Sequence, residues 1–152
     1  MNAIKLLTAD HKEVERMFKE CESAARAQKR AIFLEIKAAL ETHAYLEETI
    51  FYPTLQSEGD KELIKLVSEA IQEHIGMKCF LGELAAVSAD GSRFEPLLTK
   101  LIEDVRHHVK EEEGEMFPKV EKRLSADALE IVGTQMETEK NRFRASTETL
   151  YG

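Results

Sequence analysis

Apolar residues recur at helical spacing along nearly the whole chain, and no other sequence feature constrains the fold as strongly. In the first segment, Ile4, Leu7, Val14 and Cys21 fall on one stripe with the spacing of an amphipathic helix. The 152 residues include only seven glycines and three prolines, whereas a sandwich or barrel needs many turns. The sequence therefore predicts an all-α protein built from long helices.

The expected helix boundaries rest on capping residues and polar stretches. Asp60 and Ser125 have side chains that can cap the third and the last helix. Residues 8–10 predict a break or bend in the first helix, and the polar residues 26–30 are expected to hold the first turn. Residues 88–92 predict the clearest loop of the chain.

Four helices of about 25 residues with short connections predict an antiparallel up-down four-helix bundle. Pro53 is expected to bend or end the second helix, since proline lacks a backbone donor. We expect residues 1–152 to form a single domain with a bundle core of about residues 3–122. An additional C-terminal helix, about residues 125–149, is expected to pack outside the bundle or against a partner chain.

Histidine interrupts each of the four inward apolar stripes, where a bundle built only for stability would carry leucine or valine. The four are His11, His43, His74 and His108. Two of them are followed one turn later by a glutamate, His43 by Glu47 and His108 by Glu112. Burying such groups without a partner costs several kcal/mol each, and a shared metal ion would supply that partner.

The His-x-x-x-Glu spacing is weak evidence by itself, because the chain has 24 glutamates. His11 and His107 also show it, with Glu15 and Glu111. His107 adjoins a candidate ligand on the same helix and therefore points elsewhere, so we interpret it as a surface residue. A lone histidine on an apolar face is more often a hydrogen-bonded core residue, and a bundle without metal is the structural alternative.

A duplicated motif gives stronger evidence. Residues 43–53 align with residues 108–118, with histidine, both glutamates and proline at the same offsets. The two copies lie 65 residues apart, and His11 and His74 lie 63 residues apart. The pattern indicates two helix hairpins, each with one lone histidine and one histidine–glutamate pair, whose packing can bring all four helices to one level of the core.

Nitrogen and oxygen donors in this pattern suit iron, manganese or zinc, and no cysteine joins the set. Histidine and glutamate at positions i and i+4 lie on one helix face, about 5–6 Å apart at Cβ. Two carboxylates in one buried place repel each other unless a cation lies between them. Two bridging glutamates therefore imply two metal ions.

These motifs resemble those of the hemerythrin-like HHE cation-binding domain over roughly residues 3–120. The resemblance implies a four-helix bundle that holds two non-haem iron ions, with the four histidines as terminal ligands. Glu47, Glu112 and an oxo or hydroxo group would bridge the two irons. Members of this family bind dioxygen, sense oxygen or iron, or handle peroxide and nitric oxide.

One position departs from the oxygen-carrying members of the family. Lys78 stands where those proteins have a further histidine ligand, and a cationic lysine does not ligate. About two coordination positions are then open, unless Glu15, Tyr45, Tyr52 or water fills one. Open positions favour the reaction or sensing of a small oxidant such as peroxide, dioxygen or nitric oxide over reversible oxygen storage.

Two further glutamates, Glu48 and Glu113, follow the predicted bridging residues directly. They could offset the metal charge or accept a proton from a ligand imidazole. The alternative is that both are solvated surface residues, and the sequence leaves this choice open.

Two functional hypotheses follow, and they differ in turnover. The first is a di-iron protein that binds and reacts with a small oxidant, with peroxidase-like, catalase-like or nitric-oxide-handling activity. The second is an iron or oxygen sensor without turnover, whose C-terminal helix contacts a partner protein or forms a homodimer. Neither hypothesis identifies a separate acid–base catalytic residue.

Charge and composition narrow the expected partners and location. The net charge is −8 with no basic stripe, so we expect no nucleic-acid partner. No stretch approaches the ~18 apolar residues of a membrane span, and residues 1–8 have too short an apolar run for a secretory signal. Cys21 and Cys79 show no metal-binding spacing and are expected to be free, buried thiols in the cytoplasm, a reducing compartment.

Overall fold

The computed structural model describes the backbone of residues 1–88 and 90–151, and the side chains of residues 1–88 and 90–146. Helices account for most of this part of the chain, and it contains no strand. Two of the long helices are each interrupted by one wide π-helical turn, π1 or π2. The elements are α1 (Ala3–Ser23), α2 (Arg26–Leu46), π1 (Glu47–Phe51), α3 (Tyr52–Ser57), α4 (Lys61–Ala86), α5 (Phe94–Glu111), π2 (Glu112–Met116), α6 (Phe117–Arg123) and α7 (Ala126–Tyr151).

Four helices surround the core as an up-down bundle. Helix α1 packs against α2 and α5, and α4 packs against α2 and α5. Helix α7 lies outside this bundle, along α1 and α2. The predicted all-α bundle with an additional C-terminal helix is therefore confirmed. Among the described helices, none is long and apolar enough to cross a membrane.

Two predicted caps and the predicted loop are confirmed. The Asp60 carboxylate accepts the Leu63 N–H at 3.0 Å, and the Ser125 hydroxyl accepts the Ala128 N–H at 3.1 Å. Residues 88–92 separate α4 from α5, although residue 89 lies outside the described part of the chain.

Two expected boundaries are wrong. Helix α1 runs unbroken through residues 8–10, because Asn2 caps it instead, accepting the Lys5 N–H at 2.8 Å. Residues 26–30 do not form the first turn but begin α2. Lys29 in this segment reaches back from α2 and donates to the Cys21 carbonyl at 3.0 Å, which satisfies the end of α1.

Pro53 and Pro118 each lie just after a π turn, and neither ends a helix. The Tyr52 N–H bonds to the Glu47 carbonyl five residues earlier, and the Phe117 N–H bonds to the Glu112 carbonyl in the same way. Proline lacks an N–H and its ring crowds the preceding turn, so a widened turn accommodates it without breaking the helix. Pro53 therefore does not end the helix, which continues through π1 into α3. Its effect is the widened turn just before it.

A layer of polar residues divides the apolar core into two clusters. One cluster includes Leu7, Ala70 and Met116, and the other includes Val14 and Met77. In each bundle helix the predicted ligand histidine falls between residues of the two clusters. The fold thus places all four histidines at one level of the bundle.

Gly133 of α7 lies where the start of α1 crosses that helix. A Cβ atom at this position would overlap the Met1 carbonyl oxygen and would lie 2.7 Å from the Asn2 backbone carbon. Only a residue without a side chain therefore permits this contact between the N-terminus and α7.

Gly133→Ala is expected to lower the free energy of unfolding by about 1–3 kcal/mol, because backbone atoms must move to admit the methyl group. Gly82→Ala is the matched control, since a Cβ there meets nothing within 4 Å. We expect it to be neutral or to stabilise α4 by up to about 1 kcal/mol. Urea unfolding measures both, and equal effects of the two substitutions would contradict the proposed close contact.

Candidate metal centre

Two glutamates and four histidines meet in the polar layer. Glu47 and Glu112 are almost fully buried, and all four histidines are at most 9% exposed. The donor atoms form two groups whose members lie within 4.8 Å of one another. The first group contains His11, His43, Glu47 and Glu112, and the second contains Glu47, His74 and His108. The structure thus brings together all six residues predicted as the site.

Each glutamate reaches histidines of both hairpins. The Oε1 atom of Glu47 lies 3.3 Å from His43 Nε2 and 3.1 Å from His74 Nε2. The two oxygens of Glu112 lie 3.1 Å from His11 Nε2 and 3.4 Å from His108 Nε2. A carboxylate that touches both groups has the placement expected of a ligand that bridges two ions.

The donor atoms of the centre lack hydrogen-bond partners although they are buried. These atoms are Nε2 of His11, His43 and His108, both carboxylate oxygens of Glu47, and Oε1 of Glu112. Unpaired buried polar groups are costly, and an ion that binds them removes the cost. Imidazole nitrogens with carboxylate oxygens form a donor set that fits iron, manganese or zinc.

The electrostatics of the centre favour positive charge there. Burial acts to lower the pKa of His43, but Glu47 and Asp10 outweigh it and raise that pKa to about 10. Burial likewise opposes ionisation of Glu47, yet the surrounding imidazoles hold its pKa well below the usual range. A divalent ion supplies the same positive charge in place of protons.

An acidic side chain from another helix holds the outer nitrogen of every histidine. The Nδ1 contacts are His11–Glu113 at 2.7 Å, His43–Asp10 at 3.0 Å, His74–Glu48 at 2.7 Å and His108–Glu73 at 2.7 Å. A carboxylate only accepts hydrogen bonds, so each Nδ1 atom donates its proton to the outer carboxylate, and Nε2 is the nitrogen left to bind an ion. These contacts therefore fix both the tautomer and the orientation of each ring.

The four outer carboxylates form a closed ring around the bundle. Asp10 of α1 contacts His43 of α2, and Glu48 of π1 contacts His74 of α4. Glu73 of α4 contacts His108 of α5, and Glu113 of π2 contacts His11 of α1. The open choice for Glu48 and Glu113 is thereby decided, because both contact histidines. Asp10 and Glu73 were missed, although each directly precedes a lone histidine and so occupies the same place in the repeat.

Three other candidate residues lie away from the centre. Glu15 pairs with Arg106 at 3.0 Å, and the Tyr45 hydroxyl donates to Glu139 at 2.8 Å. The Lys78 ammonium pairs with Glu48 at 2.7 Å, and its side chain is 50% exposed. None of the three fills a position beside the Nε2 atoms.

Tyr52 reaches the centre and makes its two halves unequal. Its hydroxyl donates to Glu112 Oε2 at 2.6 Å and lies 3.4 Å from His74 Nε2. Burial, together with Glu47 and Glu112, raises the pKa of Tyr52, so the phenol keeps its proton. The equivalent residue of the second repeat is Phe117, which instead stacks parallel to His11 with ring centroids 6.0 Å apart.

A small cavity of about 20 Å³ adjoins the four histidines. Apolar residues that include Val14, Leu40 and Met77 complete its lining, and neither Glu47 nor Glu112 contributes to it. This volume accommodates about one molecule the size of water. The cavity thus offers space for a small ligand on the histidine side of the centre.

His107 is exposed at the surface, as predicted. Its side chain is 65% exposed and its Nε2 atom lies 2.9 Å from Glu111 Oε1. It belongs to none of the buried contacts described above.

Comparison with known proteins agrees with this fold and this cluster. The family model of the hemerythrin HHE cation-binding domain matches residues 2–120. The chain therefore belongs to the hemerythrin HHE cation-binding domain family. Family membership and the buried cluster together indicate a metal-binding protein.

Two curated relatives are longer than this chain. A DNA nickase of Nostoc sp. is 28% identical over 148 residues, which are 95% of this chain and 40% of that protein. An uncharacterised hemerythrin-like protein of Schizosaccharomyces pombe is 31% identical over 88 residues, which are 58% of this chain and 43% of that protein. The chain thus spans less than half the length of these relatives.

A solved structure shares the fold. It is a hemerythrin HHE cation-binding domain-containing protein from Mycobacterium kansasii, with a TM-score of 0.84 and 23% sequence identity. The similarity covers 96% of this chain and 89% of the other.

Glu48→Ala and Glu113→Ala are each expected to weaken Fe²⁺ binding by about 10–100-fold, because His74 or His11 loses the acceptor that orients its ring. Glu15→Ala is the control, since it removes an acidic group that pairs with the half-exposed Arg106 away from the centre. Competition with a chelator measures the affinities. Unchanged affinity in both test variants would show that the outer ring does not support the ligands.

Proposed function

We propose that this chain binds two non-haem iron ions and that the pair reacts with a small oxidant such as peroxide, dioxygen or nitric oxide. The observation that carries this proposal is the set of buried, unpaired donor atoms in two groups that share Glu47. A single ion would leave part of this set without a partner. Two ions would use both groups.

We assign the ligand roles from these contacts. His11, His43, His74 and His108 would be the terminal ligands, Glu47 and Glu112 would be the bridging ligands, and an oxo or hydroxo group would complete the bridge. When bound, an iron pair supplies electrons to, or takes them from, a small molecule held beside it. The choice of iron over manganese or zinc in this proposal rests on the family resemblance.

The chain's own residues prepare the centre for reaction. The outer carboxylates keep a proton on each Nδ1 atom, and Tyr52 keeps its proton directed at Glu112 Oε2. The apolar lining of the cavity limits access to water and admits a small neutral molecule. Lys78, at the position of a further histidine ligand in the oxygen carriers, pairs with Glu48 and is half-exposed, so it adds no ligand to the centre.

Some broader assignments are part of the same proposal. We propose one domain over residues 1–152, since α7 packs along two bundle helices. Cys21 is buried as expected, whereas Cys79 is exposed, which corrects the expectation that both thiols are buried. Both are free thiols, and this favours a cytoplasmic location. We do not extend DNA cleavage to this chain, because the nickase is more than twice its length and the chain has a net charge of −8.

An iron or oxygen sensor is the second candidate, and contacts of α7 favour it. Lys140 of α7 pairs with Asp10 at 2.6 Å, and Asp10 in turn holds His43. Tyr45, two residues from His43, donates to Glu139 of α7. A change at the centre would reach α7 through these contacts, and exposed Ile131 on this helix offers a contact for a partner or a second copy.

Glu47→Ala or Glu112→Ala is expected to lose both iron ions and all peroxide consumption, because each residue touches both donor groups. His107→Ala is the control and is expected to keep about two irons per chain. Iron quantification with the near-ultraviolet spectrum measures the first effect, and steady-state peroxide assays measure the second.

Full iron content in either glutamate variant would refute the bridging assignment. Iron loss in His107→Ala would mean that the wrong histidine of the pair was chosen. If iron-loaded protein shows no turnover, but hydrogen exchange in α7 depends on iron, the sensor hypothesis would replace the enzyme hypothesis.

Tyr52→Phe is expected to keep its iron but to react with peroxide about tenfold more slowly, which corresponds to about 1.4 kcal/mol in activation free energy. The substitution leaves Glu112 Oε2 without its hydroxyl donor, a loss that costs about 1–3 kcal/mol when buried. Tyr45→Phe is the matched control, since it also removes a hydroxyl bonded to a glutamate, but away from the centre. Equal rates for the two variants would remove Tyr52 from the reaction.

A further inference from the structure

A second group of potential metal ligands lies at the surface between α4 and α5. Glu73, His107 and Glu111 offer donor atoms within 4.8 Å of one another. His107 Nε2 lies 2.9 Å from Glu111 Oε1, so two of these donor groups already face each other across one turn of α5. One imidazole and two carboxylates from two helices form a donor set suited to a divalent cation.

Glu73 connects this surface group to the buried centre. Its Oε1 atom accepts from His108 Nδ1 at 2.7 Å, while its side chain remains 31% exposed. One carboxylate therefore faces both an exposed imidazole and a predicted ligand of the buried ions.

A cavity of about 260 Å³ adjoins the same group. Glu73 and His107 line it together with the buried His74 and His108. His108 is 9% exposed; its Nδ1 atom donates to Glu73 of the surface group, and its Nε2 atom faces Glu112 of the buried centre. Gly76 also lines it, and no atom lies within 4 Å of where its Cβ would be. The surface group thus lies beside a space that extends to two of the six buried residues.

We propose that Glu73, His107 and Glu111 form a surface site that binds a divalent cation and takes up Fe²⁺ on its way to the buried centre. The surface binding stands on this geometry alone. The passage of iron from it rests on the proposed function, because that function supplies the destination.

Binding is tested with Mn²⁺ on the iron-loaded protein, since Mn²⁺ binds such ligands more weakly than Fe²⁺ and does not displace it. The electron paramagnetic resonance signal of free Mn²⁺ measures how much is bound. We expect one Mn²⁺ per chain, with at least tenfold weaker binding in His107→Ala and Glu111→Gln. Glu103→Gln is the control, because Glu103 is an exposed acidic residue one turn before His107 on the same helix.

Uptake is tested by mixing iron-free protein with Fe²⁺ and following incorporation over time. His107→Ala is expected to slow incorporation several-fold and to leave the final iron content unchanged, whereas Glu103→Gln loads at the normal rate. Weak Mn²⁺ binding that is the same in all variants would overturn the surface site. Normal Mn²⁺ binding with normal loading of His107→Ala would overturn its part in uptake.

A third measurement separates this proposal from the di-iron assignment. In the Glu47→Ala variant, whose buried centre lacks the carboxylate shared by both donor groups, substoichiometric Mn²⁺ is expected to broaden the His107 ring signals in the proton NMR spectrum, and adding Glu111→Gln is expected to remove this broadening. If iron never enters the buried centre but this broadening occurs, the proposed function fails and the surface site stands. If iron fills the centre but the broadening is absent, the surface site fails by itself.

Discussion

The need to neutralise six buried polar groups governs the structure of this protein. Glu47 and Glu112 are removed almost completely from solvent, and three of the four imidazoles around them have an inner nitrogen without a hydrogen-bond partner. An apolar core cannot hold such a set unless positive charge lies among its members. The bundle accepts this cost at one level and packs an apolar cluster on either side of it. The fold therefore serves as a frame that keeps the donors together.

Contacts outside the donor set link the four bundle helices to one another. Each outer carboxylate holds the histidine of the next helix, so a shift of one helix misplaces a ring on its neighbour. Lys140 and Lys78 neutralise two of these carboxylates, Asp10 and Glu48. The π turns contribute to the same arrangement, because each begins with a central glutamate and continues with an outer one. Metal binding and bundle packing are consequently coupled in this protein.

The internal repeat makes the two halves of the centre similar, but the two halves differ at the equivalent positions Tyr52 and Phe117. Tyr52 brings a hydroxyl to one carboxylate, whereas Phe117 covers an imidazole at the equivalent place. The small cavity adjoins the histidines, and the larger one lies between α4 and α5 beside Glu73. A ligand would therefore meet different surroundings from different sides.

The sequence alone predicts the helices, the duplicated hairpin and the six converging residues, because helical periodicity and a repeat are patterns within one chain. It also identified the caps Asp60 and Ser125. It did not predict the unbroken first helix or the start of α2, since Asn2 and Lys29 satisfy helix ends through contacts that compete with other local options. It did not show that Asp10 and Glu73 hold histidine rings, and it left open whether Glu48 and Glu113 are surface residues or contact histidines. These roles are visible in the folded protein alone, because each depends on which side chain a neighbouring helix brings within hydrogen-bond distance.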